Sequence, residues 1–220
     1  MDEETIQRSM IERKYGHVII TGIPDMSDLD KYSTYLPPAI DLEKWRLTQE
    51  VTAPAKHINI VQVTGNIEMR GDVKGVGYTA QAVKKLQSQG YSVKMTFVDK
   101  VASQEMPSVL SNADIVVDNV LFGWYGLTAI QAMALGKPVV AYLREPWLRF
   151  HCRNYAAPPV VNSDPEQLYR VLKRLVSDDD LSKLGHDGRR YVEEVHDPLK
   201  IGQKLIELYY DASPTLGPSQ

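Results

Sequence analysis

The feature that most constrains the fold is a regular alternation of short β-branched runs with helical segments from His57 onward. Such brief apolar runs are typical of strands that are covered on both faces, and their alternation with helices predicts an α/β fold with one parallel sheet. In such sheets ligands bind beyond the carboxyl ends of the strands. The predicted strands are His57–Val63, Val93–Val98, Asp114–Val120, Pro138–Leu143 and Pro159–Asn162. The predicted helices between them are Gly75–Gln89, Ser103–Asn112, Leu127–Leu135 and a short one near Pro146–Tyr155.

Beyond Asn162 the pattern becomes helical throughout. Ser163-Asp164-Pro165-Glu166 combines a capping residue, an early proline and an acidic first turn, which together predict the start of a helix. Two further amphipathic helices are predicted at Asp180–Val195 and Pro198–Asp211. Residues 213–220 are predicted to be a loose tail.

The N-terminal region does not continue the alternation. Residues 17–23 predict one lone strand, an acidic capped segment follows, and Pro37-Pro38 predicts an extended chain. One strand with one or two helices cannot form its own sheet domain. We therefore expect residues 1–50 to be an appendage that packs on the main domain or belongs to a larger neighbour, and residues 51–212 to be the main domain.

Composition narrows the class of protein. A formal charge of -3 and a pI near 6.0 give no global attraction to nucleic acid or to anionic lipid. The single Cys152 cannot form an internal disulfide, and no apolar run approaches the roughly 20 residues that a membrane span needs. These observations predict a soluble cytoplasmic protein without a transmembrane segment.

The loop Thr64–Gly75, TGNIEMRGDVKG, is the first candidate binding element. Arg70 and Lys74 lie among glycines, with Gly65 and Asn66 at its start, where the following helix N-terminus favours anions. This combination suits a diphosphate, although it matches neither the Walker loop nor the G-x-G-x-x-G dinucleotide motif. The alternative is an ordinary solvated loop.

The stretch NVLFGWYGLTAIQAMALGKPVVAY, residues 119–142, is the second candidate. Gly123 and Gly126 free the backbone before a helix, so that its N–H groups can point at a phosphate or a sugar. Trp124 and Tyr125 either stack on a ligand ring or pack into the core at the end of the sheet. Core packing is the commoner role for aromatic residues in such a turn. Gln131 lies where its amide could reach ribose hydroxyls.

Three further polar features have two interpretations each. Asp118-Asn119, at the end of the third strand, either contributes polar groups to the site or forms a cap or turn. His196-Asp197 is either an acid–base pair or a cap and turn between helices. His151-Cys152 lacks the partners of a metal site or a nucleophile, so a structural role is favoured.

These motifs carry a resemblance. The run GWYGLTAIQAMALGKPVVAY resembles the signature E-G-F-G-L-x-x-x-E-A-M-A-x-G-x-P-V of family-four retaining glycosyltransferases of the GT-B fold. The loop with Arg70 and Lys74-Gly75 is similar to the family's R-x-x-K-G segment. LPPAIDLEKW resembles its interdomain linker, and HDPLKIGQKLIELY its closing helix. The four matches follow one another in the family's order over about residues 35–212, which implies the Rossmann-like C-terminal, donor-binding half of a GT-B enzyme.

The resemblance implies roles for particular residues. Arg70 and Lys74 would hold the donor diphosphate and neutralise the departing nucleoside diphosphate as catalytic residues, without a metal or other cofactor. Backbone groups from Gly123 to Leu127, including those of Trp124, Tyr125 and Gly126, would support the phosphates. Asp99 would lie beside the base, and Gln131 at the ribose.

The sequence departs from the family pattern at defined positions. Gly123 and Gln131 stand where the family has two glutamates eight positions apart, and Arg70 precedes Lys74 by four residues rather than three. The acceptor half, about 150–200 residues in such an enzyme, is not in these 220 residues.

The resulting hypothesis is a donor-binding domain or subunit that uses a nucleotide-diphosphate sugar, UDP being expected, with a partner chain or domain for the acceptor. The alternatives are a catalytically inert nucleotide-sugar-binding or scaffold subunit that partners a separate catalytic chain, and a sugar-nucleotide epimerase-like protein of the same fold.

Overall fold

The computed structural model describes residues 19–24, 33–46, 57–64, 68, 71–177 and 180–212. Within these ranges the strands are β1 Ile19–Thr21, β2 Ser33–Tyr35, β3 Ile58–Val63, β4 Val93–Val98, β5 Ile115–Val117, β6 Val139–Ala141 and β7 Val161–Asn162. The helices are α1 Val76–Ser88, α2 Met106–Ser111, α3 Leu127–Ala134, α4 Glu145–His151, α5 Leu168–Ser177, α6 Leu181–Val195 and α7 Pro198–Ala212. No helix among them is long and apolar enough to cross a bilayer.

The main sheet has five parallel strands in the order β4-β3-β5-β6-β7. Each strand that follows a helix lies parallel to its neighbour, as the strand–helix alternation predicts. The predicted parallel α/β fold is therefore confirmed, and the predicted strands differ from the observed ones only at their ends. All five carboxyl ends lie at one edge of the sheet, which is where the site residues are found.

The inner strands of the sheet are buried on both faces, as β5 and β6 show. Side chains alternate along each strand, so that Val61 and Val116 pack on one face while Ile60 and Ile115 pack on the other. Helices α3 and α6 cover the first face together with α4, and α1 and α5 cover the second. This burial explains why the strands read as continuous apolar runs in the sequence.

The N-terminal region forms a second strand that sequence analysis did not predict. Strand β1 pairs in parallel with β2, with Ile19 opposite Ser33 and Thr21 opposite Tyr35. The prediction of a lone strand at residues 17–23 is therefore wrong. Residues 33–35 were missed because three residues next to two prolines carry no strand periodicity.

The following residues, 36–46, pack on the main domain. Ile40 and Trp45 belong to the core of the first sheet face. The Ile40 N–H donates to the carbonyl of His196, and the Arg189 guanidinium donates to the carbonyl of Trp45 at 2.7 Å. Ile40 and Trp45 of the predicted appendage are thus bound to residues 189–196, at the end of α6.

Helix α3 ends as its sequence predicts. Gly136 has a φ of 69°, and the N–H groups of Gly136 and Lys137 donate to the carbonyls of Met133 and Ala132, which is the Schellman arrangement. Helix α6 crosses α3 at this point. A Cβ at Gly185 of α6 would lie 1.9 Å from the Gly136 carbonyl oxygen, so glycine is required for this close helix contact.

Candidate functional site

A buried carboxylate joins two of the predicted site elements at the carboxyl edge of the sheet. Asp118, which follows β5, is 0% exposed, and its Oδ1 lies 2.8 Å from the Nζ of Lys74. Its Oδ2 accepts a hydrogen bond of 2.6 Å from the backbone N–H of Gly126. Asp118 therefore holds the end of the first loop and the start of helix α3 in one fixed arrangement.

Lys74 lies at the first turn of α3. Its Nζ is 3.3 Å from the hydroxyl of Thr128, in addition to its bond to Asp118. The lysine side chain is 19% exposed, so its ammonium is largely withdrawn from water but still reachable from the sheet edge. An ammonium has three donors, and these two contacts use two of them.

The start of α3 offers backbone donors at the same place. Gly126 is the N-cap residue in an extended conformation, and Leu127 and Thr128 occupy the first helical positions, whose N–H groups have no acceptor within the helix. The positive end of the helix dipole adds to the field of Lys74. An oxyanion placed here would meet two backbone donors and an ammonium.

The start of α1 differs from the expectation for this loop. The carboxylate of Asp72 accepts from the backbone N–H groups of Val76 and Gly77 at 2.6 and 2.8 Å. The positive end of the α1 dipole is therefore already compensated by the carboxylate of Asp72, which lies four residues before the helix. The prediction that this helix N-terminus is open to a ligand anion is wrong for these two N–H groups.

Gln62 of β3 links the backbones of Lys74 and Asp118. It is 0% exposed, and its Nε2 donates to the carbonyls of Asp118 and Lys74 at 3.0 and 3.3 Å. Its Oε1 has no hydrogen-bond partner within the part of the chain that the structure describes. Sequence analysis missed this residue, although a glutamine inside the apolar run INIVQV is the signal that could have identified it.

The side chains of Trp124 and Tyr125 point into the core. They are 2% and 3% exposed, and their ring centroids are 4.8 Å apart. Of the two interpretations offered by the sequence, packing accounts for both rings, and stacking on a ligand ring is excluded by this burial. The backbone of the loop, with Gly123 at a φ of 101°, remains at the sheet edge.

Behind the loop, the Tyr125 hydroxyl belongs to a buried polar network, which consists of Tyr35, Tyr125, His151, Tyr191 and His196. The Tyr125 oxygen lies 2.7 Å from the Tyr191 hydroxyl and 3.2 Å from His196 Nε2. The other imidazole, His151, lies 3.0 Å from the hydroxyls of both Tyr35 and Tyr191. The network thus connects the N-terminal region, α4, α6 and the loop before α3.

Carbonyl oxygens fix the protons of this network because they only accept. His196 Nδ1 donates to Pro38 O at 2.6 Å, so its Nε2 accepts from Tyr125. His151 Nε2 donates to Ala156 O at 2.9 Å, so its Nδ1 accepts from Tyr35. With both imidazoles neutral, the single proton on His151 Nε2 faces both Ala156 O and the Tyr191 hydroxyl oxygen, which therefore share it.

Burial enforces the same protonation state. Desolvation lowers the pKa of His151 and of His196 to about 4, against the opposing effect of their bonds to backbone carbonyls. Desolvation also raises the pKa of the hydroxyls of Tyr35, Tyr125 and Tyr191 above the ordinary value. The network is therefore neutral at pH 7. Both ring nitrogens of the buried His196 are already hydrogen-bonded, which favours a structural role over the interpretation of His196-Asp197 as an acid–base pair. Asp197 instead caps α7 by accepting from the N–H groups of Leu199 and Lys200.

The structure also describes three further predicted residues, namely Asp99, Gln131 and Asn119. Asp99 follows β4 and accepts from the Thr64 hydroxyl at 2.7 Å, at one end of a groove of about 470 Å³ beside β4 and α2. Gln131 is half-buried and lies one turn after the exposed Leu127 on α3. Asn119 has the turn role, since its Oδ1 accepts from the N–H groups of Leu121 and Phe122.

Gly65, Asn66 and Arg70 lie outside the described residues. Their predicted contribution to donor binding therefore stays a prediction. The structure brings together Lys74, Asp118, Gly126 and Leu127 from the predicted set, and adds Gln62 and Thr128 to them.

Comparisons with known proteins identify the family and the fold. Residues 60–178 match the family model described as Glycosyl transferases group 1. The MMP α-(1→4)-mannosyltransferase of Mycolicibacterium hassiacum is 29% identical over 124 residues, which cover 51% of this chain and 28% of that protein.

Two solved structures share the fold. Sucrose-phosphate synthase from Thermosynechococcus elongatus superposes with a TM-score of 0.64 at 20% identity, over 90% of this chain and 59% of that one. Anabaena HepE in complex with UDP-glucose superposes with a TM-score of 0.67 at 12% identity, over 96% of this chain and 68% of that one. The chain thus spans only part of the length of these proteins.

Proposed function

The chain belongs to the group 1 glycosyl transferases, and we propose that it forms the donor-binding part of an enzyme that transfers a sugar from a nucleotide-diphosphate sugar. UDP is the nucleotide we propose, because a solved relative of the same fold is in complex with UDP-glucose. The five-stranded parallel sheet is the one expected of the C-terminal half of a GT-B glycosyltransferase.

One observation carries the proposal. The Lys74 ammonium lies 3.3 Å from Thr128 Oγ1, at the N-terminus of α3, where the backbone N–H groups of Leu127 and Thr128 lack helical acceptors. A cation and a helix N-terminus that meet at one point form a site for a phosphate. Asp118 holds both in place, so the donors are already oriented before a ligand binds.

This arrangement suits the loss of a nucleoside diphosphate. As the bond between the sugar and the diphosphate breaks, negative charge develops on the departing phosphate oxygens. Fixed donors at Lys74, Leu127 and Thr128 stabilise that charge without reorganisation. We propose that Arg70 adds a second cation, and that no metal is required.

The proposal assigns Asp118 a positioning role. Both of its oxygens are used, one by Lys74 and one by the Gly126 N–H, and it is fully buried. We propose that Gln131 binds the ribose and that Asp99 lies beside the base. The acceptor is bound by a further domain or chain in this proposal, because the relatives extend well beyond the matched region.

The backbone donor can be tested at Leu127. Leu127→Pro removes one N–H at the first helical position, which tolerates proline, and the preceding Gly126 has the extended conformation that proline favours. Calorimetry should show UDP binding to the parent chain and binding about tenfold weaker in Leu127→Pro. Leu127→Ala, which keeps the N–H and removes the exposed side chain, is the matched control and should bind as the parent does.

The cationic contribution is best tested at Arg70. Lys74 is a poor probe, since its removal leaves Asp118 buried without its counter-charge. Arg70→Ala should weaken UDP and UDP-glucose binding, whereas Lys84→Ala, at an exposed position of α1, should not. If the parent binds neither UDP nor GDP nor their sugar conjugates, the proposed function is refuted.

A further inference from the structure

A glutamine side chain interrupts the apolar interior of the sheet at the carboxyl end of β3. Gln62 is 0% exposed, and the two residues before it, Ile60 and Val61, are buried apolar residues. Its Nε2 donates to the carbonyl of Asp118 at 3.0 Å and to that of Lys74 at 3.3 Å. The side chains of Asp118 and Lys74 form the ion pair of the candidate site. One buried amide therefore binds the backbones of both partners of that pair.

The two carbonyls fix the orientation of the Gln62 amide. Because a carbonyl oxygen only accepts, the NH₂ end must face both of them, and Oε1 must lie on the other side. Oε1 is buried without a hydrogen-bond partner in the part of the chain that the structure describes. An apolar side chain of the same shape, such as that of methionine, would leave no oxygen unpaired. Core stability alone therefore favours an apolar residue here, and what the amide adds is its two donors.

The main chain of Lys74 is held tightly against the segment that follows β5. Its carbonyl accepts from the N–H of Val120 at 3.2 Å as well as from Gln62, so both of its lone pairs are used. Gly75 has a φ of 77°, and a Cβ there would lie 2.4 Å from Cγ2 of Val120. The hydrogen bonds of Gln62 thus complete a close junction between the end of the first loop and the end of β5.

The position of the ammonium depends on this junction. Nζ of Lys74 lies 2.8 Å from Oδ1 of Asp118 and 3.3 Å from the hydroxyl of Thr128. Both side chains of the ion pair extend from backbone segments that Gln62 joins. Without that link the two segments can separate, and the ammonium is no longer fixed at the start of α3. A ligand would then have to restore the arrangement on binding, which lowers its affinity.

We propose that Gln62 is a positioning residue of the donor site, which acts through Lys74 and Asp118 without touching the donor. This inference rests on the proposed function, since it assumes that the diphosphate of a nucleotide sugar binds at Lys74 and the α3 N-terminus. A side chain that is 0% exposed presents no surface to a ligand, so its effect is indirect. Gln62 therefore contributes to affinity for the diphosphate and not to the choice of sugar.

Gln62→Met tests this role because it keeps the length of the side chain and removes both donors. Calorimetry with UDP and UDP-glucose should show both ligands bound about tenfold more weakly than by the parent chain. The guanosine counterparts are used if the parent binds those instead. Gln62→Asn has the same amide on a stem one methylene shorter, which cannot reach both carbonyls. Its affinity should lie between the other two, and it carries the test if Gln62→Met does not fold.

Ile60→Val is the matched control, because Ile60 is equally buried, on the same strand and the same face, and is not bonded to the site. It should lower the midpoint of urea denaturation and bind UDP as the parent does. A merely structural role of Gln62 would give this same result, because the affinity is measured on folded protein.

The outcomes separate the inference from the proposed function. If the parent binds UDP and the folded variants at position 62 bind it equally well, the inference is overturned and the proposed function stands. An equal loss of affinity in Ile60→Val also overturns it, since affinity would then follow core packing in general. If the parent binds no nucleotide, the proposed function is refuted and the inference fails with it.

Discussion

The buried histidines predict that mild acid destabilises this protein. Protonating His151 or His196 would place a charge in a 0% exposed position whose hydrogen bonds already suit the neutral form. Burial lowers the pKa of each from 6.5 to about 4, so the unfolded chain binds more protons between these values. The contribution of these two histidines to the free energy of unfolding is therefore fully present above pH 6.5 and is lost as the pH falls toward 4.

The magnitude follows from linkage. The pKa of each histidine is 6.5 in the unfolded chain and about 4 in the folded one. Each histidine therefore lowers the free energy of unfolding by about 2 kcal/mol at pH 5 relative to pH 7.5, and both together by about 4 kcal/mol if they titrate independently. The total free energy of unfolding of a typical domain is about 5–15 kcal/mol. Urea denaturation at pH 7.5, 6.0 and 5.0, followed by tryptophan fluorescence, measures this loss before most carboxylates titrate.

Two variants attribute the loss to the network. His196→Asn keeps an amide donor for Pro38 O, and His151→Gln keeps one for Ala156 O, but neither side chain titrates. Each should be less stable than the parent at pH 7.5, yet should lose only about 2 kcal/mol on acidification to pH 5. Val195→Ala is the control, since it removes buried methyl groups beside His196 and should lower stability equally at each pH.

A flat stability profile of the parent between pH 7.5 and 5 would refute the reasoning. So would a full acid-induced loss that persists in both histidine variants, because the titrating groups would then lie elsewhere.

The tight helix crossing and the buried ion pair give two further predictions. Gly185→Ala should lower the free energy of unfolding by about 1–3 kcal/mol, because its Cβ would lie 1.9 Å from the Gly136 carbonyl oxygen. Gly202→Ala in α7, where a Cβ meets nothing within 4 Å, should raise it by about 0.5–1 kcal/mol; equal effects of the two substitutions in urea denaturation would contradict this. Asp118→Asn keeps the shape but removes the counter-charge of Lys74, so it should cost about 3 kcal/mol. A cost below about 0.5 kcal/mol would instead indicate an ordinary surface pair.

The fold could be predicted because its determinants are local in the sequence. Runs such as DIVVDNV and PVVAYL carry the composition of strands buried on both faces, and the helix end at Gly136 has its own local signal. The short pairing of β1 with β2 could not be predicted, since parallel pairing of two three-residue strands depends on tertiary contacts.

The location of the candidate site could be predicted from the sequence, but the hydrogen bonds and ion pair within it could not. Its position follows from the strand ends and the glycines at 123 and 126. The bond of Lys74 to Asp118 joins residues 44 positions apart, and no local pattern specifies it.

The hydroxyl of Tyr125 connects the candidate site to the buried polar network. Tyr125 immediately precedes Gly126, whose N–H is held by Asp118, and its hydroxyl is held from behind by Tyr191 and His196. His196 is in turn bonded to the carbonyl of Pro38 in the N-terminal region. The loop that presents the α3 N-terminus is therefore fixed at the front by a carboxylate and at the back by a neutral polar network. Because that network tolerates no added proton, conditions that protonate it should loosen the candidate donor site and the packing of residues 36–46 together.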